Sequence, residues 1–226
     1  MAKLFNITSS PGKGNVQSLL EVAKNFLLND QIIAIPTDTI YGLAVNANSQ
    51  RAIQRLYSVK ERNFNKAFAI CVAEVEDISR YSEVTVPDTL LHELLPGAVT
   101  VMFKRGRLLN ACLNPDHNLV GIRVPDYPFI QNLCALLKGP IALTSANLST
   151  KNSCLNVEEF KVLWPSLGAV FNGGELGEID PDRLGSTIID LSTEGHFRIV
   201  RSGCALEKTL TVLEKYGLKS LAEVVL

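Results

Sequence analysis

The chain has 226 residues, 46% of them hydrophobic, with 22 lysines and arginines against 23 aspartates and glutamates and a formal net charge of −1. That size and apolar content suit a single domain over residues 1–226, with a core from about residue 15 to about residue 215, which needs no staples to fold. The balanced charge and the lack of any Lys/Arg run exclude a surface that holds a long nucleic acid tightly, and no apolar stretch reaches the twenty or so residues of a bilayer span.

Apolar residues at Leu19, Leu20, Val22, Ala23, Phe26 and Leu27 predict an amphipathic helix over residues 16–28, closed by Asn29 and Asp30. The apolar run 31–34 predicts a strand, and 43–45 a second. Ser49 caps a helix with Ala52, Ile53, Leu56 and Tyr57 on one face. Strands are expected near 67–72, 99–103, 120–124 and 140–143, with helices around 90–95 and 129–137 between them. A helix near 157–163 follows, then strands near 169–171, 186–190 and 197–200 and a helix over 206–216. The segment 172–184, rich in Gly, Asp and Pro, reads as a surface loop. Alternating helices and strands with short closing connections predict an α/β fold with a mixed parallel and antiparallel sheet.

Cys71, Cys112, Cys134, Cys154 and Cys204 are scattered without a C-x-x-C pair, and His92, His117 and His196 are equally dispersed. This spacing offers no zinc site and suits reduced thiols of an intracellular protein. The start Met1-Ala2-Lys3-Leu4-Phe5-Asn6 has no hydrophobic core for secretion, so the cytoplasm is the expected location, with a mitochondrial pool left open.

Polar groups cluster just past apolar strands. Pro36-Thr37-Asp38-Thr39-Ile40-Tyr41-Gly42 follows the first strand, and its hydroxyls form either a tightly bonded turn or a set held ready for a polar ligand. Thr144-Ser145-Ala146-Asn147 repeats the logic, as a helix cap or a ligand site. Lys60 and Arg62 converge on one anion only where the helix has ended, and a point charge beside a planar fork suits a polyphosphate; the alternative is a solvated helix end. Arg123 stands in an otherwise apolar strand and needs an internal carboxylate or an anionic ligand, of which the reading favours the ligand. Ser186 at a strand start, Arg201 at a strand end and Thr100 after Pro96-Gly97 extend the set. No nucleophile is paired with its own base and no Walker loop is present, so the pattern points to positioning of charged substrates and stabilisation of developing phosphate charge.

These blocks, in this order, resemble the YrdC-type threonylcarbamoyl-adenylate synthase family, from about Leu19 to about Leu213: Pro36-Thr37-Asp38-Thr39 with Tyr41-Gly42-Leu43, Lys60-x-Arg62, Pro96-Gly97 with Thr100, Arg123-Val124-Pro125, Ser145-Ala146-Asn147, Gly185-Ser186-Thr187 and Arg201-x-Gly203. The resemblance implies a YrdC-like α/β fold in the short form, with a twisted mixed sheet and a concave active-site face. It implies condensation of L-threonine, bicarbonate and ATP to threonylcarbamoyl-adenylate with release of pyrophosphate, Mg²⁺ travelling on the phosphates and no protein metal site. The product would pass to a separate complex that modifies tRNA beside the anticodon. By the same resemblance Lys60 and Arg62 contact the triphosphate and act catalytically, Thr100, Ser145, Asn147 and Arg201 lie on the ATP side, and Thr37, Thr39, Arg123 and Ser186 hold threonine. Cys71 stands where some members carry histidine, and Asn63 and Thr144 stand where proline is common. Two rivals remain: a double-stranded RNA-binding or regulatory module of the same fold, which the charge disfavours, and carbamoyl-adenylate synthesis.

Overall fold

The computed structural model describes residues 2–7, 13–60, 67–148 and 152–221. The strands are β1 (Lys3–Asn6), β2 (Ile33–Ile35), β3 (Gly42–Asn46), β4 (Ala69–Cys71), β5 (Ser82–Glu83), β6 (Val99–Arg105), β7 (Leu119–Arg123), β8 (Ile141–Ser145), β9 (Ala169–Asn172), β10 (Thr187–Asp190), β11 (His196–Arg201) and β12 (Lys219–Ser220). The helices are α1 (Lys13–Leu28), α2 (Gln50–Val59), α3 (Ile78–Tyr81), α4 (Asp88–Leu94), α5 (Pro128–Leu137) and α6 (Leu206–Lys215).

Among the described residues one sheet runs β1-β9-β2-β3-β8-β4-β7-β6-β10-β11-β12, with β5 paired to β6. Parallel pairs (β1/β9, β2/β9, β4/β7, β6/β10, β11/β12) and antiparallel pairs (β2/β3, β3/β8, β4/β8, β6/β7, β10/β11) are interspersed across it, the expected mixed sheet. β2 shows why the strands read as continuous apolar runs. Ile33 and Ile35 face the core under α1 and α5, while Ile32 and Ala34 face the core under α2 and α4, so both sides of the sheet are covered.

Ser49 caps α2 as expected, its hydroxyl accepting from the Ala52 amide at 3.2 Å. The segment expected as a helix near 157–163 is instead a 3₁₀ stretch, Val157–Ser166, kinked at Phe160 and carrying Pro165. Proline withholds a backbone donor, and the broken geometry at Phe160 prevents a continuous α-helix. No helix among the described residues is long and apolar enough to cross a membrane.

Candidate active site

The end of β2 leads into the turn around residues 36–41, which β3 carries back across the sheet beside the end of β8, Gly42 opposite Ser145. Together with residues of β4, β6 and β7 and the ends of β10 and β11, this turn frames a cavity of about 750 Å³, its open mouth included, lined among others by Thr37, Cys71, Thr100, Arg123, Ser145, Ser186 and Arg201. Seven sequence positions spread over 165 residues therefore meet in one space.

The Thr37 hydroxyl donates to the Ile40 carbonyl at 2.8 Å and accepts from the Thr39 and Ile40 amides at 3.1 and 3.2 Å. Having only one proton, it can meet the Thr39 hydroxyl, 3.1 Å away, only as acceptor. Thr39 in turn accepts from Arg123 Nη1 at 3.2 Å. Of the two alternatives the sequence left open, the structure has the tightly bonded turn, and it ends on Arg123.

Arg123 finds its partner inside the protein. Its Nη2 meets Asp38 Oδ1 at 2.5 Å, and each side chain is only 6% exposed. Its Nε donates to the Gly97 carbonyl at 3.1 Å, the part that Pro96-Gly97 plays here. A guanidinium carries five N–H groups, so three are used and one remains on each terminal nitrogen of a side chain that lines the cavity. An incoming carboxylate can still be met in two places.

Arg201 differs. Its Nε and Nη2 donate to the Ser186 carbonyl at 3.0 and 2.7 Å, and Nη2 reaches Ser186 Oγ at 3.1 Å, with Thr100 Oγ1 2.8 Å further on. Burial of the guanidinium and the nearby Arg123 charge hold its pKa below the ordinary value, while Asp180 opposes the shift. The buried Asp180 carboxylate accepts the Leu184 and Gly185 amides at 2.8 and 2.7 Å, which fixes the turn that presents Ser186. Gly203 lets the chain after β11 lie against this turn: a Cβ there would stand 2.3 Å from both Ser186 C and Thr187 N. Backbone cannot yield as a side-chain tip does, so Gly203→Ala is expected to lose about 1–3 kcal/mol of stability and to displace Arg201 from the cavity. A thermal melt beside an activity assay checks both.

Lys60 follows the last turn of α2 and is 2% exposed. Its ammonium donates to the Ser145 carbonyl at 2.8 Å, to the Asn147 carbonyl, and to Asn147 Oδ1 at 3.4 Å, which joins the end of α2 to the end of β8. Ser145 lines the main cavity, whereas Asn147 lines a second one with Phe160 and Leu163. Arg62 lies outside the described residues.

Cys71 reaches the cavity as a neutral thiol, since burial pushes its pKa up to about 12 against the weaker pull of Arg123. The thiolate is the reactive form, so Cys71 should resist iodoacetamide at pH 8 in the folded protein and alkylate only after denaturation, as peptide mass spectrometry would show. Sequence reasoning assigned no role to Asp38, Gly97 or Asp180. Asp38 was signalled by its place between Thr37 and Thr39, but the pairing with Arg123 is 85 residues distant in sequence.

Residues 25–203 match the Sua5/YciO/YrdC family, whose description is telomere recombination. The chain belongs to this family. A Bos taurus relative named threonylcarbamoyl-AMP synthase is 48% identical over 212 residues, 93% of this chain and 77% of its own length. The Homo sapiens protein of the same name is also 48% identical, over 93% of this chain and 76% of its own. P. abyssi Sua5, solved in complex with L-threonine, superimposes with a TM-score of 0.81 at 23% identity over 96% of this chain, which spans 62% of that protein. E. coli YciO gives 0.77 at 25% identity over 90% of this chain and 96% of its own. The fold of these Sua5/YciO/YrdC structures is the twisted mixed sheet described above.

Proposed function

We propose that the protein is a threonylcarbamoyl-AMP synthase, joining L-threonine, bicarbonate and ATP into threonylcarbamoyl-adenylate and pyrophosphate. One observation carries this reading: 48% identity over 93% of the chain to a relative of that name. The cavity supports it, because among the described residues its lining holds two guanidiniums and several hydroxyls but no carboxylate. Such a site attracts anions and leaves nucleophilic attack to the substrates.

In this reading the threonine amine attacks the carbon of a bicarbonate-derived species, with loss of water, and the resulting carbamate oxygen attacks the α-phosphorus as pyrophosphate leaves. Arg123 meets the threonine carboxylate, with Thr37, Thr39 and Ser186 shaping that end of the cavity. Arg201, Thr100, Ser145, Asn147, Lys60 and Arg62 serve the nucleotide end. The Thr100–Ser186 contact of 2.8 Å is then the seam between the two substrates. Mg²⁺ carried with the ATP phosphates would supply neutralisation of their charge there. The adenylate goes to a separate tRNA-modifying complex, in the cytoplasm or in a mitochondrial pool.

Pyrophosphate release measured with L-threonine plus bicarbonate, and separately with carbamoyl phosphate, tests the reading. Release that needs threonine and bicarbonate is the expected result. Release with carbamoyl phosphate alone would move the protein to carbamoyl-adenylate synthesis. Neither, combined with binding to double-stranded RNA, would make it a binding module.

A further inference from the structure

Asp38 pairs with Arg123 through one oxygen only. A buried carboxylate that only balances a buried guanidinium gains most from a two-point fork, each oxygen taking one N–H. Here only Oδ1 is used, at 2.5 Å from Nη2, while Oδ2 is buried with no hydrogen-bond partner. An unpaired buried acceptor costs stability, so the arrangement forgoes a bond that the same two side chains are chemically able to make. What it preserves is visible on the arginine. Nε is fixed by the Gly97 carbonyl, Nη1 by Thr39 and Nη2 by Asp38, so the guanidinium plane is held at three corners while each terminal nitrogen keeps one N–H unspent. A forked pairing would consume one of those two.

We propose that Asp38 is a positioning residue for substrate recognition: by single-point pairing it fixes the Arg123 guanidinium so that its two remaining N–H groups meet the carboxylate of the amino-acid substrate. The inference rests on the proposed synthase reading, and it assigns to the acidic partner of a binding arginine a task distinct from charge balance. Its distinguishing requirement is an acceptor of the correct length at residue 38, with the negative charge itself dispensable for alignment. The conservative variants separate these properties. Asp38→Asn keeps an oxygen where Oδ1 stands and loses the charge. Asp38→Glu keeps the charge and lengthens the arm by one methylene. Asp38→Ala loses both.

Steady-state pyrophosphate release, with KM for threonine and for ATP measured separately and a thermal melt for each variant, reads the outcome. The threonine KM should rise about tenfold or more in Asp38→Ala, the loss of one hydrogen bond to a charged group, while the ATP KM stays near wild type. Asp38→Asn should recover most of that loss. Asp38→Glu should retain a near-wild-type melting temperature yet raise the threonine KM, because it displaces the guanidinium without breaking the ion pair. This last variant decides the matter if Asp38→Ala fails to fold. A wild-type threonine KM in Asp38→Glu, with Asp38→Asn and Asp38→Ala altered only in melting temperature, would overturn the proposal and leave Asp38 a structural counter-ion. Equal rises in both KM values would overturn it too. Absence of threonine-dependent turnover in the wild type is a different result, since that removes the synthase reading itself.

Discussion

Lys60→Ala is expected to reduce adenylate synthesis by about 10² to 10³, the scale on which losing one preorganised charge-stabilising donor acts. The sequence alone leaves Lys60 as a polyphosphate contact or a solvated helix end, and its burial removes the second of these. At 2% exposure its ammonium holds the Ser145 and Asn147 carbonyls, and alanine leaves these acceptors without that donor. Each such group costs about 1–3 kcal/mol if water does not replace the donor. The variant should therefore melt earlier as well as turn over slowly. Assay well below its melting temperature separates the two effects: a residual rate defect there supports a catalytic charge, whereas wild-type turnover with only a lowered melt would make Lys60 a structural tie between α2 and β8.

Arg123 gives the second large effect. Arg123→Ala strands the Asp38 carboxylate in a site where it is 6% exposed, and breaking a buried pair from one side costs about 3–5 kcal/mol. Arg123→Lys keeps a positive charge but replaces a planar fork fixed at three corners with a single ammonium. It should stay folded and lose threonine affinity selectively, with ATP affinity close to wild type. Calorimetric titration of both ligands, beside a thermal melt, checks this. Unaltered threonine affinity with a large loss of stability would show that Arg123 serves the fold alone.

The strands and helices of the sheet were legible because apolar periodicity survives in each of them: Ile53, Leu56 and Tyr57 mark the buried face of α2, and the run before Pro36 marks β2. β1, β5, β12 and the single-turn α3 were not, since strands of two to four largely exposed residues and a helix of four leave little pattern. The 3₁₀ stretch at Val157–Ser166 has a helical apolar pattern and differs only in backbone geometry, which composition does not encode beyond Pro165.

At the site, the residue types and their positions at strand ends were readable, but their bonding was not. Thr37 reads first as a turn former by its spacing, with a ligand contact as the alternative. Only its four short contacts, with the Thr39 amide and hydroxyl and with Ile40 N and O, show its hydroxyl committed to the turn. Arg123 reads as a cation in need of a partner, and the partner sits in a different motif. Asp180 gives no local sign at all, because its carboxylate serves two amides of a loop that shares no pattern with the strands.

In the proposed function three substrates meet in this one cavity and leave as a mixed adenylate. Incubation of the wild-type protein with ATP, L-threonine and carbon-13 bicarbonate, followed by mass spectrometry of the nucleotide products, tests it most directly. The expected product is an adenylate carrying the threonine mass plus one labelled carbon, formed in step with pyrophosphate and absent when either threonine or bicarbonate is omitted. AMP or ADP appearing at the same rate without threonine, with no labelled adenylate, would contradict it.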